Sequence, residues 1–261
     1  MLRFPAGPFI ATDRCSCRPS LASAHRLRRS FDGESRALVT ELNMLPLPVL
    51  TTVTIARLDI GHHLNRPRAI PIGAAALTGR VQGSGVHFHL DSFVLQPSDP
   101  AEKLLVWLDQ RLAEEQVTIA GYQLAGATAL LDALPGAYWS SGLRSMAGLG
   151  AQPVMSLSAR DLRGAPLTFE QACLHAGIRC SRIESSMRFS AWCRSVTEQI
   201  DHQTQVDAIA AWRLIMKRLS SLDQHGARVV DAMDEHLAGW LRASSNGAAS
   251  LHACDIAAIG N

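Results

Sequence analysis

Short apolar runs, separated by polar and glycine-containing segments, predict three strands early in the chain. The strands span 51–60, 69–77 and 86–95 and are rich in β-branched and apolar residues. The connections between them are short, which indicates an antiparallel meander. A fourth, buried strand is predicted at 117–121.

Beyond residue 97 the apolar residues recur every three or four positions, which predicts helices. The first begins near Pro100. A capping box, in which Thr168 is the N-cap and Gln171 the third helical residue, marks another, and Gly177 ends it. The later helices are predicted at 124–134, at 166–178 (the helix with the capping box), at about 204–219 and at 226–242.

The order β-β-β-α-β-α, followed by further helices, predicts an α/β fold. A meander that continues into a right-handed crossover gives a mixed sheet, with antiparallel and parallel strands and flanking helices. This order resembles that of an RNase H-like core, and several other α/β folds share it. We expect one domain over 46–222, a C-terminal helix at 223–243 and a flexible tail at 244–261.

The first 45 residues have a different composition. Residues 1–30 contain six arginines and three prolines, with one acidic residue and no apolar periodicity. Three interpretations stay open: an organelle transit peptide, a disordered tail, or an extension upstream of a start at Met44.

Composition and charge narrow the class of protein. The chain has 261 residues and a net charge of +2, so overall charge does not indicate a nucleic-acid binder. No apolar run of 18 residues predicts a membrane span. The cysteines form no disulfide framework at this length, which favours reduced thiols in a cytoplasmic protein; they are Cys15, Cys17, Cys173, Cys180, Cys193 and Cys254.

Two segments carry candidate chemistry. In residues 202–208, His-Gln-Thr-Gln-Val-Asp-Ala, His202 precedes Asp207 by five positions at the predicted start of a helix. In the first predicted strand, Thr-Ile-Ala-Arg-Leu-Asp-Ile-Gly places Asp59 at the strand end. Their structural alternatives are an anion in the first turn of a helix for Asp207 and a turn residue for Asp59.

Together with the segment order over residues 51–220, these segments resemble the DEDDh branch of the DEDD-superfamily 3′–5′ exonucleases. The resemblance implies hydrolysis of DNA or RNA from its 3′ end, assisted by Mg²⁺ or Mn²⁺ bound to carboxylates. It implies Asp59 and Asp207 as metal ligands and His202 as the general base.

The resemblance also shows which acidic residues are missing. The family's D-x-E motif has Gly61 in place of its glutamate, and the second segment has Ala127 in place of its aspartate. Gln123 stands where the family has an asparagine, and Asp132 lies too far along the helix to replace the missing aspartate. At most one Mg²⁺ or Mn²⁺ ion is therefore expected, held by Asp59 and Asp207.

Other residues near this site have weaker signals. His62 and His63 follow Gly61, and His87 and His89 alternate on the third predicted strand, where two exposed histidines are the commoner interpretation. The arginines that could line the site are Arg57, Arg66, Arg68 and Arg80.

Two functions therefore remain open. One is a divergent 3′–5′ exonuclease; the other is a catalytically inactive exonuclease-fold module that binds nucleic acid or a protein partner. No membrane association is expected, and the sequence leaves the oligomeric state open.

Overall fold

The structure is a computed structural model that describes residues 49–61, 68–82, 85–114, 116–182, 184–221 and 224–259. The predicted extension at 1–45, Met44, His62, His63 and Arg66 lie outside the described residues. Within them the strands are β1 Val49–Asp59, β2 Ala69–Gln82, β3 Gly85–Val94, β4 Val117–Tyr122 and β5 Val154–Leu157. The α-helices are α1 Glu102–Arg111, α2 Leu124–Asp132, α3 Ser141–Met146, α4 Phe169–Ala176, α5 Ser185–Cys193, α6 Thr197–Ser220, α7 Gln224–Ala243 and α8 Gly247–Ile259.

The five strands form one mixed sheet in the order β3-β2-β1-β4-β5. β1 pairs antiparallel with β2, and β2 pairs antiparallel with β3, which confirms the predicted meander. β4 and β5 continue the sheet in parallel on the other side of β1. The predicted α/β class with a mixed sheet and flanking helices is therefore confirmed.

Helices cover both faces of this sheet. On one face, α1, α2 and α3 enclose a core that includes Val53, Leu108 and Ile119. On the other, α6, α7 and α8 enclose a second core that includes Leu50 and Trp212. No helix among the described residues combines the length and the apolar character that a bilayer crossing requires.

Trp212 of α6 occupies the centre of the second core. It is 0% exposed, and its ring meets Phe88 of β3 edge to face, with 5.2 Å between the ring centroids. A Cβ atom built on Gly79 of β2 would overlap Cη2 of Trp212 and lie 3.1 Å from Cε1 of Phe88. The indole therefore fits against the sheet because this position has no side chain.

Helix α6 begins earlier than its apolar pattern predicts. The prediction of about 204–219 left His202 in a turn and put Asp207 in the first helical turn, whereas the observed helix runs from Thr197 to Ser220. Residues 197–203 contain no proline or glycine, so nothing in them stops the helix, and Ile200 packs into the core. The predicted capping box of α4 is confirmed, with Thr168 as N-cap and Gly177 in a left-handed conformation at the end.

The segment predicted as a flexible tail is helical as α8. Oδ1 of Asn246 accepts hydrogen bonds from the backbone N–H groups of Ala248 and Ala249, which caps the helix start. His252 is 0% exposed; its Nε2 lies 3.0 Å from the carbonyl oxygen of Val206, and its Nδ1 lies 3.2 Å from Arg213. Alanine-rich sequence and these contacts to α6 explain why the segment folds.

The fit of Trp212 on the sheet generates a stability prediction. We expect Gly79→Ala to lower the free energy of unfolding by about 1–3 kcal/mol, because the added methyl group forces Trp212 or Phe88 to move. The measurement is the urea midpoint followed by circular dichroism.

Gly126→Ala is the matched control. A Cβ at Gly126 in α2 has no neighbour within 4 Å, so alanine there should leave the midpoint unchanged or raise it. Equal losses in the two variants would contradict the proposed role of Gly79.

Candidate functional site

The two faces of β1 are distinguished by their contacts. Leu50 packs with Trp212, and Leu58 packs with Ile200, so both side chains face α6. The hydroxyls of Thr52 and Thr54 donate hydrogen bonds to carbonyl oxygens of α6. The strand therefore presents even-numbered residues to α6, and none of them is a carboxylate.

Asp59 consequently lies on the face of β1 that points away from α6, because side chains alternate along a strand. Its side chain is exposed, and its Oδ1 accepts a hydrogen bond of 2.9 Å from the backbone N–H of Gly61. This contact within one turn matches the structural alternative for Asp59, a polar residue that closes the end of a strand.

Asp207 is half-buried on α6 and is held by Ser181, which lies between α4 and α5. Its Oδ1 accepts a hydrogen bond of 2.8 Å from the Ser181 backbone N–H, and its Oδ2 accepts one of 2.7 Å from the Ser181 hydroxyl. Burial raises the pKa of Asp207 to about 6, although the two bonds from Ser181 and the charge of Arg188 act to lower it. Both oxygens are thus committed to a neighbouring loop.

The structure does not bring Asp59 and Asp207 together. The Thr52 hydroxyl bonds to the carbonyl of Ala208, and the Thr54 hydroxyl to that of Thr204, so Asp207 lies beside this part of β1. Asp59 is five residues beyond Thr54, or about 16 Å farther along the strand, and on the other face. Asp59 accepts its hydrogen bond from Gly61, whereas Asp207 accepts both of its bonds from Ser181.

His202 is exposed on α6 and lines a pocket whose wall includes Ser181, the residue that binds Asp207. The pocket has a volume of about 510 Å³ and is also lined by the rest of segment 179–182, Gln203 and Leu251. A Cβ atom built on Gly247, the first residue of α8, would lie 3.2 Å from Cε1 of His202. His202 and Asp207 are five residues apart on one helix, which turns their side chains about 140° away from each other.

The residues that correspond to the family's second acidic segment contribute to packing. Gln123 has a left-handed backbone with φ of 50° just before α2, and its Nε2 donates a hydrogen bond of 3.0 Å to the carbonyl of Leu167. Ala127 packs against the core beneath α1, α2 and α3, and Asp132 is exposed in the last turn of α2. No carboxylate of this segment takes the place of the missing aspartate.

Arginines gather at the C-terminal end of β1. Nη1 of Arg188, from α5, donates a hydrogen bond of 3.3 Å to the backbone carbonyl of Arg57, and Arg68 lies opposite Ile60, whose N–H bonds to its carbonyl. The side chains of Arg57 and Arg68 are exposed. Burial lowers the pKa of Arg188, the nearby charges of Asp207 and Glu170 act to raise it, and the charge of Arg57 acts to lower it. Arg80, by contrast, forms a two-bond ion pair with Glu114.

Among the residues that the structure describes, no group of three or more histidine, cysteine, aspartate or glutamate side chains is arranged to hold a metal ion. His87 and His89 are exposed on β3, an edge strand of the sheet. In comparisons with known proteins, no family model, curated protein or solved structure matches this chain.

Ser181 and Arg188 are the site residues that sequence reasoning missed. Ser181 lies in an irregular segment with no motif, and only the fold places it against Asp207. Arg188 lies in a helix without a strong apolar periodicity, so the sequence did not predict that this arginine approaches β1.

The environment of Asp207 generates a pH prediction. Its pKa is raised on folding from 3.8 to about 6, so the folded chain binds more protons than the unfolded chain between those values. The contribution of Asp207 to stability is therefore present at low pH and is lost as pH rises through this window. An asparagine at this position would keep a bond to the Ser181 N–H without the buried charge.

We therefore expect Asp207→Asn to gain stability relative to the unaltered chain as pH rises from 4 to 7, by about 1–3 kcal/mol. Urea midpoints at several pH values measure this difference, and the titration of His252 cancels between the two proteins. A difference that is independent of pH, or Mn²⁺ stabilisation that the variant loses, would contradict this assignment of Asp207.

Proposed function

We propose that this chain is a nucleic-acid-binding module with an RNase H-like fold, related to DEDDh exonucleases, that has no hydrolytic activity. The observation that carries the proposal is the group of arginines at the end of β1. The resemblance expects metal-binding carboxylates there. Arg57, Arg68 and Arg188 stand there instead, and the remaining Asp59 bonds to its own turn.

The sheet supports the fold part of this proposal. A three-strand antiparallel meander, with two parallel strands added beside its first strand, is compatible with an RNase H-like fold. The capped helix α4 and the long helix α6 follow in the order that the resemblance implies. A cytoplasmic location, inferred from the cysteine content, belongs to the same proposal.

The charges favour phosphate binding over metal binding. Two divalent ions bring four positive charges, which several carboxylates must offset, and nearby guanidinium groups oppose such ions. The same guanidinium groups suit the phosphodiester backbone, to which arginine donates paired hydrogen bonds. Arg57 and Arg68 are exposed at the end of β1, and Arg188 approaches the backbone of Arg57, so a nucleic-acid strand that crosses this end of the sheet would meet guanidinium groups.

The alternative is an active 3′–5′ exonuclease that uses one Mg²⁺ or Mn²⁺ ion between Asp59 and Asp207, with His202 as the base. That mechanism requires the three groups to meet, which means moving the end of β1 across the sheet. The geometry therefore favours the inactive module.

Binding of a fluorescently labelled single-stranded oligonucleotide tests the proposal. We expect the logarithm of the affinity to fall linearly with the logarithm of the salt concentration, with a slope of about −2 for three phosphate contacts. Arg57→Ala and Arg68→Ala should each weaken binding and make the slope shallower by about 0.7. Arg144→Ala, at an exposed arginine on α3 outside this group, is the matched control and should change neither.

The same oligonucleotide, incubated with Mg²⁺ or Mn²⁺, should remain intact. Release of mononucleotides that Asp207→Ala abolishes would establish the exonuclease alternative. Binding that Arg57→Ala and Arg144→Ala weaken equally would place the nucleic acid elsewhere, and no binding at low salt would reject the module.

A further inference from the structure

Two cysteines outside the proposed nucleic-acid surface lie against each other. Cys173 is in the last turns of α4, and Cys180 is in the segment that follows it. The backbone turns sharply between them, because the N–H groups of Gly177 and Ile178 bond back to α4, the latter to the carbonyl of Cys173. Both side chains belong to one packed cluster of buried residues, and each thiol is close enough to shift the pKa of the other.

The two thiols differ in their access to solvent. Cys173 is 0% exposed, whereas Cys180 is 8% exposed and forms part of the wall of the pocket that His202 also lines. Arg179 and Arg182 lie on the same wall. A small molecule in this open pocket can therefore reach Cys180 and cannot reach Cys173 directly, and the two arginines favour an anionic molecule.

The two thiols are also chemically unequal. The interaction with Cys173 lowers the pKa of Cys180, whereas the same interaction together with burial raises the pKa of Cys173. Asp207 and Glu170 oppose the charge on Cys180, and Arg182 favours it. The accessible sulfur is thus also the one that more readily becomes a thiolate.

We propose that Cys173 and Cys180 form a dithiol–disulfide couple that reacts with anionic low-molecular-weight disulfides such as oxidised glutathione. The Cys180 thiolate attacks one sulfur of that disulfide, forms a mixed disulfide and releases one reduced thiol. Cys173 then gives up its proton, attacks the Cys180 sulfur and releases the second thiol. Two protein thiols are oxidised by two electrons, and one small disulfide is reduced to two thiols.

Formation of the disulfide would act on the segment 178–182. Ser181, which follows Cys180 directly, holds both oxygens of Asp207 on α6. A disulfide between Cys173 and Cys180 fixes this segment to α4 by a covalent bond. The couple is independent of the proposed nucleic-acid binding, since none of its residues belongs to the arginine group at the end of β1.

The test uses the full chain with Cys15, Cys17, Cys193 and Cys254 replaced by serine, so that only the pair remains. After incubation of the folded protein with oxidised glutathione, we expect an intact mass lower by two hydrogens, with no retained glutathione. Peptide mapping should show the Cys173–Cys180 cross-link, and dithiothreitol should reverse it. Circular dichroism before and after confirms that the protein stays folded.

Single replacements in this background separate the two roles. Cys173→Ser should stop at one stable glutathione adduct on Cys180, and Cys180→Ser should leave Cys173 unmodified until denaturant is added. A chain that retains only the exposed Cys193 and Cys254 is the matched control, and it should give two adducts and no cross-link. The proposal is overturned if the paired protein stops at the adduct, stays fully reduced, or cross-links only when unfolded.

Discussion

The packing of α6 on the sheet is the contact on which the rest of the structure depends. Trp212 enters the space that Gly79 leaves free, and the hydroxyls of Thr52 and Thr54 bond to carbonyl oxygens of α6. These contacts fix both the position of the helix along β1 and the side that it turns to the sheet. α7 and α8 then pack on α6, so the second core is assembled around this one helix.

The same contact decides the chemistry of the candidate site. α6 runs along β1, with its residue Asp207 beside Thr52 and Thr54. Asp207 therefore meets Ser181 and lies far from the strand end, where Asp59 turns to the opposite face. The end of β1 is left to Arg57, Arg68 and Arg188. The region that resembles a cation site in sequence therefore holds three arginines beside the single carboxylate of Asp59.

Two titratable groups on or against α6 show how burial is accommodated. Asp207 has its pKa raised by burial, and its two hydrogen bonds from Ser181 offset part of the cost. His252 has its pKa lowered to about 4 by burial, and its neutral ring donates from Nε2 to Val206 and accepts at Nδ1 from Arg213. As pH falls, protonation favours the fold at Asp207 and opposes it at His252, so their effects partly cancel.

Local patterns in the sequence determined the elements and much of their arrangement. Short apolar and β-branched runs gave the meander and β4, and helical periodicity gave α1, α2, α6 and α7. The capping box at Thr168 fixed the start of α4. Each of these signals depends on residues close in the chain. β5 and α8 were missed, since four residues of β5 hold no period and α8 depends on Asn246 and on the contacts of His252 with α6. Only the tertiary structure decided the site. Whether Asp59 and Asp207 meet depends on strand face and helix position. The helix position is set by the contact of Trp212 with Gly79, two residues that lie far apart in the chain and belong to no functional motif.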